Sequence, residues 1–332
     1  MENILELALK NLSSPVVLFF ALGLAITLVK AKVEFPVAIS DFLSIYLLVA
    51  IGFKGGVAIA QAGINSMLVT VVGAIFLGLI IPIYSFYILW RIGKMKSDDA
   101  AAIAGHYGSV SVVTFMAATA FLSNIKIGYE GFLNGLPALM EIPAIIVALI
   151  LAALAKGNIK ENKATQELAL LESSKKVIMS KSVILLIGAM GVGYLTGPEG
   201  AVSVEFFYKD IFMGMLSLFM LEMGMLAALR LGDLKKAGIF IVLFSIFIPL
   251  INGFLGVVTG SLIGLSLGGI TLLGVLAASS SYIVAPAAMR VSLPKASPAL
   301  YLGTSLGITL PFNLIIGIPI YYYLAQYIIK FN

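Results

Sequence analysis

Long apolar runs and short polar loops alternate along almost the whole chain. A bilayer crossing needs roughly 20 mostly apolar residues, and such runs lie near residues 12–30, 36–53, 66–90, 99–122 and 134–155. Five more follow near 181–197, 206–229, 237–260, 268–289 and 302–328. The one long polar stretch, KGNIKENKATQELALLESSKKVIMSK, separates the two sets. The pattern predicts an all-α integral membrane protein of about ten transmembrane helices. A first five-helix unit covers 1–155, a linker 156–181, and a second unit 182–332. Within the linker, Leu168, Leu170, Leu171 and Val177 have the spacing of a short amphipathic helix.

Charge placement gives these spans a direction. Of the 21 Lys and Arg residues, all but Lys10, Lys54, Lys126, Lys209 and Lys330 fall in alternate loops on one side. Basic loops face the cytoplasm, so the linker is expected inside and both termini outside. One missed or invented span would scramble this alternation, so the charges also support the count.

Composition narrows the class. With 61% hydrophobic and 11% charged residues and a mean hydropathy of +1.09, the chain lies far from soluble domains, where about a quarter of residues are charged. MENILELALKNLSSP lacks the basic start and small-residue cleavage site of a secretory signal, so the first apolar run is expected to persist as a span. Cysteine is absent and histidine occurs once, which excludes disulfides, thiolate chemistry and a histidine-rich metal site. The net charge of +5 resides in loops that orient membrane proteins, and nucleic-acid binding is not expected.

Five spans is an odd number, so a second related set of five must insert upside down. AIGFKGG (50–56) aligns with EMGMLAA (222–228), and MEIPAIIVA from Met140 aligns with ITLPFNLII from Ile308, each at an offset of about 170 residues. Inverted repeats of this kind build many secondary transporters. At the same offset, GHYGSVS (105–111) falls opposite LAASSS (276–281). Small and hydroxyl residues inside apolar runs serve close helix packing. At matched repeat positions they also fit interrupted helices that meet near the midplane and hold an anion on freed N–H groups and positive helix ends.

Glu141 and Glu222 stand inside apolar spans, where a charge costs a few kcal/mol. Glu141 precedes Pro143, and its carboxylate with carbonyl oxygens freed by the proline suits a hard cation such as sodium. A protonated Glu141 in a helix–helix hydrogen bond is the alternative. Thr309, Pro311 and Asn313 hold the related place in the second half. Glu222 lies among methionines and reads as packing; Asp98 and Asp99 read as helix-start residues. His106 is a candidate proton relay or, with Ser109 or Ser111, half of a hydrolase. No orienting partner or oxyanion hole accompanies it, so an enzyme is not expected.

The C-terminal stretch GVLAASSSYIVAPAAMRVSLPKASPALYLGTSLGITLPFNLIIGIPI resembles the SbtA-type sodium-dependent bicarbonate transporters. YLLVAIGFKGGVAIA, DDAAAIAGHYGSVSVVTFMAA, MEIPAIIVA and MLEMGMLA extend the resemblance over most of the spans. It implies a gate region and a core region, a homotrimer, and bicarbonate held where the fourth and ninth spans meet. By position, Gly108, Ser109, Val110 and Ser111 with Ser279, Ser280 and Ser281 would form the anion cradle. Thr114, Glu141, Thr309 and Asn313 would form the sodium side; no cofactor beyond that coupling ion is implied. Cyanobacterial members carry an aspartate after the serine run, where this chain has Tyr282. A phenol carries no charge at neutral pH. Sodium acting through Glu141 and protons acting through Glu141 or His106 both stay open. The family also uses a cytoplasmic PII-like regulator, a partner left open here by the short linker. Besides a sodium-coupled bicarbonate symporter, the residues allow a carrier of another small anion or carboxylate, or an anion-sensing membrane receptor.

Overall fold

The computed structural model describes residues 4–155, 175, 178–234 and 238–330. The expected linker helix around Leu168 to Val177 lies outside them. All regular elements among the described residues are helical. Among the described residues, eight helices are long and apolar enough to cross a bilayer, or nine if one bent pair is a single crossing. The protein is thus a multi-pass helical membrane protein.

The bent pair is α1 (Ile4–Leu12) and α2 (Pro15–Leu28), which meet at 61°. Its cause is local: Ser14 caps α2 by accepting from the Val17 N–H, and Pro15 occupies the first helical position, where its missing N–H costs nothing. Then come α3 (Val37–Ala62) and α4 (Leu68–Tyr87, extended as a π-turn to Ile92). The fourth expected span is two helices, α5 (Ser97–Gly108) and α6 (Val112–Asn124). After α7 (Leu136–Ala155) the second half follows as α8 (Lys181–Ala201), α9 (Phe212–Leu234) and α10 (Gly238–Leu262). The ninth expected span, 268–289, is not continuous: α11 (Leu267–Ala278) ends at the serine run and α12 (Val284–Ser292) starts beyond it. The last helix, α13 (Pro298–Ile329), carries π-turns over Gly303–Thr309 and Asn313–Gly317.

The two broken helices occupy the centre. The most apolar stretch of Ser97–Asn124 is buried throughout, and so is α11 from Gly268 to Ala278. Around them pack α4, α7, α10 and α13, whose outer faces expose Val72, Phe76, Phe247 and Phe254, the pattern of lipid contact. A second layer pairs α2 with α9 and α3 with α8. Since lipid tails are as apolar as leucine, this packing rests on close van der Waals fit rather than on expulsion of water. Gly256 on α10 provides such a fit: a Cβ there would lie 2.6 Å from the Leu273 carbonyl oxygen on α11.

Two carboxylates tie helix starts together at the ends of the inner group. The Ser297 N–H, at the start of α13, donates to Asp99 Oδ1 at 2.8 Å. The Ser266 N–H and Oγ, at the start of α11, donate to the two oxygens of Glu130 at 2.6 and 3.0 Å. Asp99 therefore serves another helix as well as its own first turn.

Gly256→Leu is expected to force α10 and α11 apart and to cost about 1–3 kcal/mol, the usual range for overpacking. Gly214→Ala on α9, where no atom lies within 4 Å of the added carbon, should be neutral or stabilising by up to about 1 kcal/mol. Thermal unfolding of the two variants in detergent checks the contrast.

Candidate functional site: two opposed helix breaks

The breaks between α5 and α6 and between α11 and α12 lie against each other, and each satisfies the other's backbone. A helix that stops in a membrane leaves carbonyls and N–H groups without partners. Here the Ser281 N–H donates to the His106 carbonyl at 2.9 Å and to the Ser109 carbonyl at 3.0 Å. In the reverse direction, the Ser111 N–H donates to Ser279 Oγ at 2.9 Å, and Ser279 Oγ donates to the Leu276 carbonyl at 2.7 Å. Asn313 closes the set, its Nδ2 donating to the Ala278 carbonyl at 2.9 Å.

Beyond each break a serine hydroxyl accepts from an N–H in the first turn of the next helix. Ser111 Oγ accepts from the Thr114 N–H at 3.2 Å, and Ser281 Oγ accepts from the Ala285 N–H at 3.3 Å. The first turns of α6 and α12 thereby point their positive ends into one region. A cavity of about 20 Å³ lies there, with room for about one water molecule. From the breaks, its lining includes Val110, Ser111, Ser281 and Tyr282; from α7, Glu141. The opposite wall comes from the outer layer, with Ser44 and Leu48 of α3, Ser182 of α8 and Phe219 of α9.

The expected cradle residues thus divide by role. Val110, Ser111 and Ser281 border the cavity. Ser279 braces the Ser111 N–H, and Ser280 Oγ pairs with Ser305 Oγ at 2.7 Å. Ser109 is fully buried and its hydroxyl has no partner, while Gly108 packs where a Cβ would meet Pro82 at 2.7 Å. On the sodium side, only Glu141 reaches the cavity; it is 2% exposed and its Oε2 has no partner. Thr114 is buried in the first turn of α6. Thr309 Oγ1 donates to the Ser245 carbonyl at 2.8 Å and meets the Tyr107 hydroxyl at 2.6 Å. Asn313 uses both ends of its amide, its Oδ1 accepting from the Tyr321 hydroxyl at 3.0 Å.

Sequence reasoning did not find Ser44, Ser182 or Ser305. A single hydroxyl in an apolar run carries no spacing signal, and only the proximity of α3, α8 and α13 reveals these three. His106 stacks on Tyr301 with ring centroids 4.6 Å apart. Its Nδ1 lies 2.6 Å from the Ala102 carbonyl, which makes it the donor, and Nε2 has no partner. Neither Ser109 nor Ser111 bonds to that ring, so the base and nucleophile of a hydrolase are not assembled.

The sequence profile of the Na+-dependent bicarbonate transporter superfamily matches residues 15–326. The chain belongs to that superfamily. No curated protein matches it in direct comparison. The superfamily match covers both helix breaks, Glu141 and the helices on both sides of the cavity. Membership makes the protein a transporter and argues against the hydrolase alternative, together with the unassembled His106–serine geometry.

Ser279→Ala removes the acceptor of the buried Ser111 N–H and is expected to cost about 1–3 kcal/mol. Ser280→Ala combined with Ser305→Ala removes both members of a pair and should cost less than Ser280→Ala alone, which strands one hydroxyl. Unfolding midpoints of the four proteins test this division between brace and pair.

Proposed function

We propose that the protein is a sodium-coupled symporter that carries bicarbonate across the cytoplasmic membrane. The anion is held between the first turns of α6 and α12, with the hydroxyls of Ser111 and Ser281 and the backbone around Val110 as its contacts. Gly108 and Ser109 with Ser279 and Ser280 frame that cradle. Sodium sits beside it on Glu141, with Thr114, Thr309 and Asn313 shaping the surrounding polar region. The observation that carries this reading is the junction itself: two helix starts converge on one cavity, and the carboxylate bordering that cavity has an oxygen without a partner. Positive helix ends favour the anion, and the carboxylate favours the cation.

Alternating access in this reading comes from an inverted repeat of ten crossings. The tenth crossing counts α1 with α2, and α11 with α12, as one each. Ser111 and Ser279, which bond across the junction, are 168 residues apart. Asp99 and Ser266, and likewise Glu130 and Ser297, stand at that offset to within one residue, and the two carboxylate contacts interchange when the halves are exchanged. This supports two related halves, 1–155 and 182–332; the basic loops put the linker 156–181 on the cytoplasmic side and both termini outside. A homotrimer and a PII-like regulator acting on the linker belong to the same proposal.

A second reading replaces sodium by protons. Tyr282 stands where an acidic sodium ligand would be expected, and a Glu141 carboxyl with a free oxygen suits a proton as well as a metal ion. Purified protein in proteoliposomes decides between them. Replacing sodium by choline is expected to lower labelled bicarbonate uptake at least about tenfold, and Glu141→Gln should abolish the stimulation by sodium. Uptake unchanged in choline but driven by an imposed pH gradient would establish the proton reading; no uptake under either gradient would refute bicarbonate as the cargo.

A further inference from the structure

The same helix that walls the junction cavity also walls a second, larger cleft. Leu47 of α3 faces the cavity, and Lys54, two helical turns further along the same face, lines a cleft of about 500 Å³. Two turns correspond to about 10 Å of axial rise. The rest of the cleft comes from the end of α3, including Gln61, and from the chain between Pro198 and Lys209. Phe53 and Tyr208 line it as well, their rings in tilted contact with centroids 5.4 Å apart, with Tyr46 and Phe207 packed around Tyr208. Tyr46 and Phe53 of that aromatic cluster thus share α3 with the lining of both cavities.

The charges of this cleft are not balanced. Its charged lining residues are Lys54, Lys209 and Glu205. Lys209 Nζ and Glu205 Oε1 are 2.5 Å apart and neutralise each other. Lys54 is partly buried, and its ammonium lies 4.0 Å from the centroid of the Phe212 ring. A ring face holds a cation in place without cancelling its charge. The cleft therefore presents one positioned, uncompensated ammonium in partly apolar surroundings, which focuses field and concentrates small anions. The pattern of basic loops puts this end of α3 on the side opposite the linker.

We propose that the cleft around Lys54 is a binding station for a small monovalent anion, occupied before the anion reaches the junction. The proposal rests on the transport reading for its order of events. Lys54 supplies the charge, and Gln61 and the cleft wall supply hydrogen bonds and shape. Passage onward requires Phe53 and Tyr208 to separate.

Uptake of labelled bicarbonate by proteoliposomes of neutral lipid tests it. Lys54→Gln is expected to raise the half-saturating concentration about tenfold with the maximal rate unchanged, and Lys54→Arg should stay close to the parent. The difference should shrink as ionic strength rises and screening shortens the reach of the charge. An unchanged half-saturation in Lys54→Gln overturns the station. So does a lipid-headgroup outcome, in which Lys54→Gln alters thermal stability only in anionic-lipid vesicles and leaves uptake as it was. Line broadening of 13C-bicarbonate by the protein in detergent provides a readout without flux. If the parent protein carries no bicarbonate, the transport reading fails by itself. The station then stands if broadening falls in Lys54→Gln and is refuted if broadening is equal in the two proteins.

Discussion

A helix cannot stop in hydrocarbon unless something takes up its backbone, because each unpaired N–H or carbonyl there costs several kcal/mol. This protein stops two helices in its buried centre, and the solution is mutual. The Ser281 N–H takes the carbonyls left open where α5 ends, and the Ser279 hydroxyl takes the N–H left open before α6. Neither break is stable by itself, so the two must remain together through any larger motion. Asp99 with Ser297 and Glu130 with Ser266 extend the same logic to the helix starts. The inner helices are thus cross-braced in the middle and at their ends, as a rigid unit requires.

Much of this junction was legible in the sequence, because hydroxyl and small residues in an apolar run conflict with the local rule that lipid-embedded positions be apolar. GHYGSVS and AASSS stood out on that ground, and both lie at the break points. Glu141 stood out on the cost of charge and does border the cavity. The finer roles were not legible. Nothing in the run SSS tells which serine braces a backbone, which pairs with Ser305 and which accepts from the Ala285 N–H, since each depends on how the chain folds around it. Thr309 and Asn313 illustrate the same point: their hydroxyl and amide are engaged with Ser245, Tyr107, Ala278 and Tyr321, partners far away in sequence.

A count of apolar runs does not show where a helix turns within one, for a related reason. Hydropathy averages over a window and does not register a turn inside it, so the run from residue 12 hid the cap at Ser14 and the run 268–289 hid the break at the serines. Ser14–Pro15 was a readable helix start. The break at Ser279 was readable only as a repeat of the one at Ser109, which is why the internal similarity was more informative than either segment alone.

The walls of the cavity identify the surface along which motion must occur. One side is the braced junction with Glu141; the other is α3, α8 and α9, a layer that packs as helix pairs and whose α8 is only 17% buried over its most apolar stretch. A space of about 20 Å³ holds one water and not the bicarbonate and sodium proposed as its occupants. The junction cannot widen by parting its own breaks, because that would strand the Ser281 and Ser111 N–H groups. Room must come from displacement of the α3, α8 and α9 layer relative to the junction, with Ser44, Leu48, Ser182 and Phe219 carried away from Ser111 and Ser281. A bound anion would favour such a displacement only by interacting better with the opened geometry than with the closed one. In the proposed symport, the Glu141 oxygen, which has no partner in the closed cavity, gains one when the coupling cation enters the opened space, and that contact favours the opening.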